Sequence, residues 1–411
     1  MVVDLLIVGA GLSGLFAANL AVDQGLSVHV VSAGRGGLSL SRGCIDVYYS
    51  SNPSRSIRTL PGNHPYRVLP AHTLKDSVGA FKSIVRGSNL GYQGGISSSI
   101  PLLSALGTPF KSTIVPRSLI KGRLDDPRPI SIAGLINYRD FWPRYVLDGA
   151  KRKGVRVRSL LELPLLDIEF GRDYYATDIA NLLQDPSYRQ ELWRAWKPKL
   201  TGEHRVGIPA ILGLADSSAI HDEAEEYLGV DLFEIPSLPP SLPGLRLEYA
   251  LKNRCLQLGV QFTEGPRAFG RIDGRSQGRR AAGIQIEAAG KLQALDSRSI
   301  LLTTGGFLHG GMNAYPNGDV RETVFGMTIE TSEPREGWIR EQPWGSQDYS
   351  RFGLRTDEKL RPLDRNNKIY LDNVYAAGGI LGGSDRTHEG SRQGIDLCTA
   401  FHAIESITSQ N

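Results

Sequence analysis

The stretch that decides the fold reads Leu5-Leu-Ile-Val8 followed by Gly9-Ala-Gly-Leu-Ser-Gly14. An apolar run of four residues predicts a buried strand, and the G-x-G-x-x-G pattern after it predicts a tight turn. The apolar and small residues of Leu15–Leu26 predict a helix, and Val28–Val31 predicts a second strand. Strand, glycine-rich turn, helix and strand in this order indicate a dinucleotide-type α/β fold.

Each glycine of this turn has a separate physical task. Gly9 permits the tight turn, Gly11 lets a pyrophosphate approach the backbone, and Gly14 lets the helix pack closely on the strand. The free N–H groups at the start of the helix attract an anion. One position departs from the pattern, because Ser32 stands at the end of the second strand where an acidic residue usually holds a ribose diol.

The composition limits the classes of function. A chain of 411 residues, 40% of them hydrophobic, can bury a sizeable core as one large discontinuous domain or as two to three domains. Its net charge of +4 is too small and too dispersed to predict binding of nucleic acid.

The three cysteines, Cys44, Cys255 and Cys398, are far apart, and no C-x-x-C pattern occurs, so we expect buried thiols and no metal site. The apolar start lacks the basic segment of a signal peptide and contains Asp4, and no run of about 20 apolar residues occurs. We therefore expect a cytoplasmic protein, which a partner or a surface patch would bring to the inner face of the cell membrane.

A second glycine-rich segment lies near the C-terminus and runs from Asn373 to Asp385, followed by Glu389-Gly-Ser-Arg-Gln-Gly394 and a helix. Gly378, Gly379 and Gly383 remove side chains where a flat ring or its ribityl chain has to pass. The helix that starts near Gly394 would direct N–H groups at a ring carbonyl that gains negative charge on reduction. Together with the N-terminal turn, this segment predicts a flavin site.

Two further segments match a flavin site. Leu301-Leu-Thr-Thr-Gly-Gly-Phe307, with Gly305 at its turn, is typical of a strand that lies against the cofactor. Ser41-Arg-Gly43-Cys-Ile-Asp46 follows the first βαβ unit where many flavoproteins pass a loop beside the ring. We expect Ser41 and Asp46 to hydrogen-bond the ribityl chain or the ring, with Gly43 between them.

The order of predicted elements gives the fold class as α/β, a Rossmann-like FAD/NAD(P)-binding flavoprotein fold with an inserted α+β cap or substrate domain. The flavin-binding domain would comprise residues 1–50, 244–310 and 355–411, and a cap that binds substrate or a partner would comprise 51–243 and 311–354. The predicted elements that bear on the site are a hairpin of Ala281–Glu287 with Gln293–Leu295, strands at Ile300–Thr304 and Tyr370–Ala377, and helices at Thr73–Val85, Leu245–Leu258 and Ile395–Thr408.

The candidates for acid–base and anion-binding roles are two histidines and two arginines. His64 lies at the entry to the cap, and Arg386 and His388 lie in the C-terminal loop. A flavin-linked alcohol oxidation needs a base for the hydroxyl proton, and histidine has a suitable pKa. A sugar phosphate would be held by Arg386 and Arg392, since the guanidinium group binds oxyanions in a bidentate manner.

Several segments in the same order resemble the B subunit of anaerobic glycerol-3-phosphate dehydrogenase, a family within the fumarate-reductase-like flavoproteins. They span nearly the whole chain and comprise IVGAGLSGLFAANLA from Ile7, LSLSRGCIDVY from Leu38, HPY from His64, LGTPFKSTIVP from Leu106, YRDF from Tyr138, VYAAGGILGGSD from Val374 and EGSRQGIDLCTAFHAIESI from Glu389.

The resemblance implies a flavin, FMN for this subunit, with FAD as the alternative. It implies a homologous FAD-bearing catalytic subunit and an iron–sulfur membrane-anchoring subunit as partners. The implied reaction is oxidation of sn-glycerol 3-phosphate to dihydroxyacetone phosphate, with electrons passed toward a quinone. The absence of a carboxylate at Ser32 also favours the shorter FMN.

Two other functions remain open. The chain could be a free-standing fumarate-reductase-type flavin oxidoreductase that acts on another small acid or alcohol, or a non-catalytic subunit that relays electrons through its flavin. A plain NAD-dependent dehydrogenase is disfavoured, because it leaves the C-terminal glycine-rich segment without a role.

Overall fold

The structure is a computed structural model, and it describes residues 2–167, 169, 172–273, 279–288, 290–332 and 335–409. The chain forms two compact units. The first comprises residues 1–37, 46–84 and 251–411, and the second comprises 38–45 and 85–250.

The strands form both parallel and antiparallel pairs. In chain order they are β1 (Val3–Val8), β2 (Val28–Ser32), β3 (Gln93–Gly94), β4 (Ile100–Leu103), β5 (Pro109–Ser112), β6 (Ile114–Val115), β7 (Ile130–Leu135), β8 (Val157–Leu163), β9 (Arg205–Pro209), β10 (Asp231–Ile235), β11 (Gln261–Glu264), β12 (Ala268–Asp273), β13 (Arg280–Ala288), β14 (Lys291–Leu302), β15 (Met312–Ala314), β16 (Val320–Glu322), β17 (Thr328–Ile329) and β18 (Val374–Ala376).

The α-helices range from single turns to the long closing helix. In chain order they are α1 (Leu12–Asp23), α2 (Pro53–Ser56), α3 (Pro65–Val68), α4 (Thr73–Ile84), α5 (Arg117–Ile120), α6 (Pro143–Arg152), α7 (Ala176–Leu182), α8 (Pro186–Trp196), α9 (Ser217–Leu228), α10 (Leu242–Gln257) and α11 (Arg392–Thr408).

The first unit is built on a sheet with the strand order β11-β2-β1-β14-β13-β12, in which β18 also pairs with β14. Strands β11, β2, β1, β14 and β18 pair in parallel, so their carboxyl ends lie at one edge. β14 is twelve residues long, and its first half pairs antiparallel with β13. The predicted hairpin and the predicted strand at Ile300–Thr304 therefore share one continuous strand.

Helix α1 is almost entirely buried, because its sequence is apolar or small on every side. It packs against the closing helix α11 and contacts β1 and β2. This packing places the N-termini of both helices in the same unit as the parallel sheet. The architecture is the mixed α/β fold predicted from the N-terminal stretch.

The second unit has its own parallel sheet, β10-β9-β7-β8, with an apolar core that includes Trp193 and Trp196. Inside it, Arg246 and Glu234 form an ion pair that is almost fully buried. Two glutamate oxygens face the two terminal nitrogens of the guanidinium group, an arrangement that offsets part of the desolvation cost of both charges.

The compact units differ from the predicted partition of the chain. Residues 46–84 and 311–354 fall in the unit of the main parallel sheet, although the predicted cap includes 51–84 and 311–354. The reason is packing, since α4 lies against α11 and α3 also contacts α11. Within the described part of the chain, no helix has the length and apolar character needed to cross a membrane.

Candidate functional site

The candidate site lies at the carboxyl edge of the main parallel sheet. Gly9 follows β1, Ser32 ends β2, Thr303 follows β14 and Ala377-Gly378 follows β18. The Thr303 amide donates to Val8 O at 2.9 Å, and the Ala377 amide donates to Leu302 O at 2.9 Å. In α/β sheets, ligands bind outside this edge, so the topology brings the three predicted glycine-rich segments to one place.

The N-terminal turn is crowded by protein at two glycines and open at the third. Gly9 has a φ of +119°, and a Cβ there would lie 2.4 Å from Thr303 O. A Cβ on Gly14 would lie 2.0 Å from Gly9 O, whereas a Cβ on Gly11 would have nothing within 4 Å. Gly9 and Gly14 therefore serve the packing of the turn, and Gly11 faces space that a ligand can use.

The C-terminal loop packs directly on this turn. Gly378 has a φ of +74°, and a Cβ there would lie 2.1 Å from Ser13 Oγ. A Cβ on Gly379 would lie 2.2 Å from Arg386 Nη1 and 3.3 Å from the Cα atom of Gly305, whose own φ is +76°. Side chains are thus excluded from the region where the two loops meet.

Asp396 in the first turns of α11 joins the two loops through hydrogen bonds. One of its carboxylate oxygens accepts from Ser13 Oγ at 2.9 Å and pairs with Arg386 Nη2 at 2.5 Å. The same Arg386 nitrogen also donates to Arg392 O at 2.9 Å. Arg386 is therefore engaged within the protein, and this was not evident from its place in the sequence.

Three buried polar atoms near this edge have no hydrogen-bond partner among the described residues: Thr304 Oγ1, Gln393 Oε1 and Arg386 Nε. Thr304 follows β14, Gln393 lies in the first turn of α11, and Arg386 lies between them in the C-terminal loop. Buried polar groups of proteins are normally paired, so these atoms indicate a polar ligand at the edge. The open space at Gly11 and these unpaired groups fit a flavin with a phosphate-bearing chain.

His64, a predicted acid–base residue, is buried and hydrogen-bonded within the protein. Its side chain is 1% exposed, and its Nε2 atom lies 3.0 Å from Glu389 Oε2. Its Nδ1 atom accepts the amide hydrogen of Tyr66 at 3.1 Å, which caps helix α3. The ring is enclosed, and both of its nitrogen atoms are engaged by protein groups.

His388 and Arg392, by contrast, are exposed. The structure gives His388 a backbone hydrogen bond to Asp385 Oδ1 at 3.2 Å. Arg392 Nη2 donates to Thr387 Oγ1 at 2.5 Å. Arg392 stands at the start of α11, and its side chain donates to a hydroxyl, whereas the side chain of Arg386 pairs with the Asp396 carboxylate.

The remaining predicted site residues are divided between the two units. Ser41 and Gly43 belong to the second unit, where Ser41 Oγ donates to Leu38 O at 2.8 Å. Asp46 belongs to the first unit, and its carbonyl accepts the Gly394 amide at 3.0 Å. Ser32 uses its hydroxyl locally, in a hydrogen bond to Gly34 O.

The last predicted glycine, Gly383, is a position of close approach to another segment. It has a φ of +90°, and a Cβ there would lie 2.5 Å from Asn63 O. Its amide donates to Arg351 O at 2.9 Å. Gly383 therefore holds the loop against Asn63 and Arg351.

His309 is a residue of this edge that sequence reasoning missed. A Cβ on Gly37 would lie 2.9 Å from the Nε2 atom of His309, and a Cβ on Gly305 would lie 2.8 Å from the Cβ atom of His309. Desolvation and then the positive charge of Arg386 lower the pKa of the imidazole, so it is neutral near pH 7. The signal in the sequence was its place directly after the Thr303–Gly306 turn.

Comparison with known proteins gives a consistent picture. A family model described as "FAD binding domain" matches residues 4–73 and 111–395. The chain is 30% identical over 425 residues to the B subunit of anaerobic glycerol-3-phosphate dehydrogenase of Pectobacterium atrosepticum, with 99% of both chains covered. It is 28% identical to a protein of Halobacterium salinarum named as the probable B subunit of the same enzyme, with 97% of this chain and 96% of that chain covered.

Among solved structures, the chain is similar to 3-ketosteroid delta1-dehydrogenase from Sterolibacterium denitrificans, with 12% identity, a TM-score of 0.47 and full coverage of both chains. That likeness is too distant to bear on function. The fold, the glycine-lined edge and the family match define the class as flavin-dependent oxidoreductases. Within this class the chain belongs to the FAD-binding-domain family and, in it, to the group of anaerobic glycerol-3-phosphate dehydrogenase B subunits.

Proposed function

We propose that the chain is a flavin-bearing subunit of a glycerol-3-phosphate dehydrogenase, which oxidises sn-glycerol 3-phosphate to dihydroxyacetone phosphate and passes the electrons toward a quinone. The observation that carries the proposal is the meeting of the N-terminal turn and the C-terminal loop at Ser13 and Gly378, in a chain similar over its full length to the B subunits. Each of these two segments alone is common, but together they favour a site for a phosphate-bearing planar ring.

The cofactor we propose is FAD. The preference for FMN rested on the resemblance to the B subunits and on Ser32, which lacks the carboxylate that usually binds the ribose of an adenosine. The FAD-binding family model nevertheless matches without interruption from residue 4 to residue 73, across the end of β2. One missing ribose acceptor therefore weighs less than the match of the whole segment, and FMN becomes the alternative.

When bound, a flavin accepts the hydrogen of the carbinol carbon together with two electrons. The chain itself has to hold the phosphate and accept the hydroxyl proton. Arg392 is our proposed phosphate ligand, because its guanidinium group donates to the Thr387 hydroxyl, whereas that of Arg386 pairs with the Asp396 carboxylate. The proton acceptor would be His388, as predicted from the sequence, or His309, whose lowered pKa and place beside Gly305 favour it.

The relatives carry the name of one subunit of a larger enzyme, and we propose the same organisation here. A homologous FAD-bearing subunit and an iron–sulfur subunit that anchors the complex at the membrane would be the partners. The protein would then work at the inner face of the cell membrane, with its electrons leaving through the iron–sulfur subunit.

Purification of the chain alone and with the proteins encoded beside it tests these statements. We expect a protein with an absorption band near that of free flavin, and FAD as the released compound on chromatography against FAD and FMN standards. We expect sn-glycerol 3-phosphate to reduce a quinone analogue only with the assembled complex. Turnover by the chain alone would favour the free-standing oxidoreductase. Turnover of a complex unaffected by His309→Gln, His388→Gln and Arg392→Ala would favour the electron-relay subunit.

A further inference from the structure

His64 and Glu389 form a buried contact between two segments that lie 325 residues apart in the sequence. The His64 side chain is 1% exposed and that of Glu389 is 12% exposed. The His64 ring stacks on Tyr66 with centroids 5.3 Å apart, and the Tyr66 hydroxyl donates to Val47 O at 2.8 Å. The imidazole is therefore held rigidly by its own segment.

The hydrogen bonds decide which nitrogen of His64 carries the proton. Nδ1 accepts the Tyr66 amide hydrogen, so in the neutral ring the proton is on Nε2. Nε2 then donates to Glu389 Oε2 at 3.0 Å. The ring thus acts as a rigid link, with an acceptor toward helix α3 and a donor toward the C-terminal loop.

Glu389 accepts several hydrogen bonds within and around the loop that precedes α11. Oε1 accepts the Asp385 amide at 3.0 Å, and Oε2 accepts the hydroxyl of Ser391 at 3.2 Å in addition to His64. Burial raises the pKa of Glu389, but the hydrogen bonds from His64 and the Asp385 amide together lower it by more than burial raises it. The pKa therefore lies below its usual value, and the carboxylate is ionised near neutral pH.

The loop bound by Glu389 carries or adjoins the cationic groups of the candidate site. Arg386 lies between Asp385 and Glu389, and Arg392 begins α11 three residues after Glu389. The loop also contacts the His64 side of the molecule at Gly383, next to Asn63 O, and at Glu389 O, which accepts the Tyr49 amide at 2.8 Å. The His64–Glu389 bond is the buried side-chain link in this set of contacts.

We propose that His64 is a positioning residue, which through Glu389 holds the loop from Asp385 to Ser391 in the conformation that binds the cofactor. The proposal deepens the proposed function, and its link to the cofactor rests on that function. His64 itself touches neither substrate nor flavin in this arrangement, and its role is to donate a hydrogen bond from Nε2.

Two substitutions separate the two hydrogen bonds of the ring. His64→Gln places an amide nitrogen near the position of Nε2 and keeps a donor for Glu389, but loses the acceptor for the Tyr66 amide. His64→Asn keeps a short acceptor for the helix N-terminus, at which asparagine is favoured, but does not reach Glu389. Glu389→Ala removes the acceptor from the other side and leaves the His64 cap of α3 intact.

Amide hydrogen exchange of the flavin-free protein tests the loop without reference to cofactor or activity. We expect exchange in residues 385–391 to be at least tenfold faster in His64→Asn and Glu389→Ala, and within about threefold of wild type in His64→Gln. Flavin titration should show Kd raised at least tenfold in the first two variants and little changed in His64→Gln. Where His64→Asn does not fold, Glu389→Ala still tests the side-chain link of the loop, and its added effect at the Asp385 amide, whose acceptor it removes, is read separately.

Unchanged loop exchange in both His64→Asn and Glu389→Ala would overturn the proposal. A greater rise in loop exchange and in flavin Kd in His64→Gln than in His64→Asn would also overturn it. The hydrogen bond that caps helix α3 would then be the one on which the loop depends. Normal flavin binding with turnover abolished in His64→Gln would return His64 to a catalytic role. If the exchange differences are as expected but no variant, nor the wild type, binds flavin, the positioning of the loop stands and the proposed function fails.

Discussion

Gly378 and Ser13 are so close that a Cβ on Gly378 would lie 2.1 Å from Ser13 Oγ. The two residues are far apart in the sequence, since Ser13 lies in the N-terminal turn and Gly378 in the C-terminal loop. Ser13 Oγ also donates to Asp396 in α11, so the starts of two helices and two glycine-rich segments are joined at one point. This contact makes one site of two segments that are unremarkable when taken separately.

The open space at Gly11 and the crowding at Gly14 predict different effects of substitution by alanine. At Gly11 the change should weaken flavin binding, and at Gly14 it should lower the stability of the protein. Gly11→Ala should leave the free energy of unfolding nearly unchanged, because its φ of −77° suits alanine and no protein atom lies within 4 Å of the new Cβ. It should weaken flavin binding at least tenfold, by about 1.4 kcal/mol or more. Gly14→Ala should cost about 1–3 kcal/mol of stability through the clash with Gly9 O.

Denaturant unfolding and flavin titration of both variants measure these effects. Equal flavin affinity in Gly11→Ala and wild type would show that no ligand group occupies the space in front of this turn.

Arg386 and Arg392 should differ in what their loss affects. Arg386→Ala leaves the Asp396 carboxylate without its cation in a partly buried place, so we expect a stability loss of about 1–3 kcal/mol. Arg392→Ala changes an exposed side chain, and its effect on stability should stay within about 0.5 kcal/mol. In the assembled enzyme Arg392→Ala should raise the KM for the phosphate substrate about tenfold or more, since a charge-assisted hydrogen bond contributes about 1.5–3 kcal/mol.

Arg392→Lys is the matched variant, because it keeps the charge and loses the bidentate geometry. Its KM should fall between those of wild type and Arg392→Ala. A KM unchanged in both variants would place the phosphate elsewhere.

The two candidate proton acceptors are separated by glutamine substitutions in the assembled enzyme. His309 lies beside Gly305 and has a lowered pKa, so we expect His309→Gln to lower kcat about 100-fold and to remove the acid limb of its pH profile. His388→Gln should change kcat only a few-fold. The reverse result would assign the proton transfer to His388.

Glu322 should make the stability depend on pH. Burial raises the pKa of this carboxyl from 4.5 to about 7, against the opposing hydrogen bonds from the Phe325 and Val324 amides. Between pH 4.5 and 7 the unfolded chain loses this proton while the folded chain keeps it, so stability from this group falls as pH rises. The difference between the two pKa values corresponds to about 3 kcal/mol, lost by pH 8 and fully regained below pH 4.5.

Glu322→Gln isolates this effect from that of the other ionisable groups. Denaturant unfolding at pH 5 and pH 8 should give a smaller difference in the variant than in the wild type. Parallel curves for the two proteins would show that Glu322 ionises in the folded protein much as it does in the unfolded chain.

The local elements of the main sheet could be predicted from the sequence because they depend on short-range patterns. The apolar runs before Gly9 and Gly305 end strands β1 and β14, as expected, and the glycines follow them at the same edge. The boundaries were less accurate. Helix α1 begins at Leu12 and not at Leu15, because residues of the G-x-G-x-x-G turn form its first turn. The predicted strand Tyr370–Ala377 is shorter, Val374–Ala376.

Side-chain roles were decided by contacts between distant parts of the chain. His64 is buried against Glu389, Arg386 is paired with Asp396, and His309 lies beside Gly37 and Gly305. The sequence by itself determined the glycine-rich turn, the α/β class and the family, since periodicity, turn chemistry and motif spacing are properties of neighbouring residues. Only the tertiary structure decided which polar groups are engaged by protein and which are left for a ligand, because burial and pairing depend on segments hundreds of residues apart.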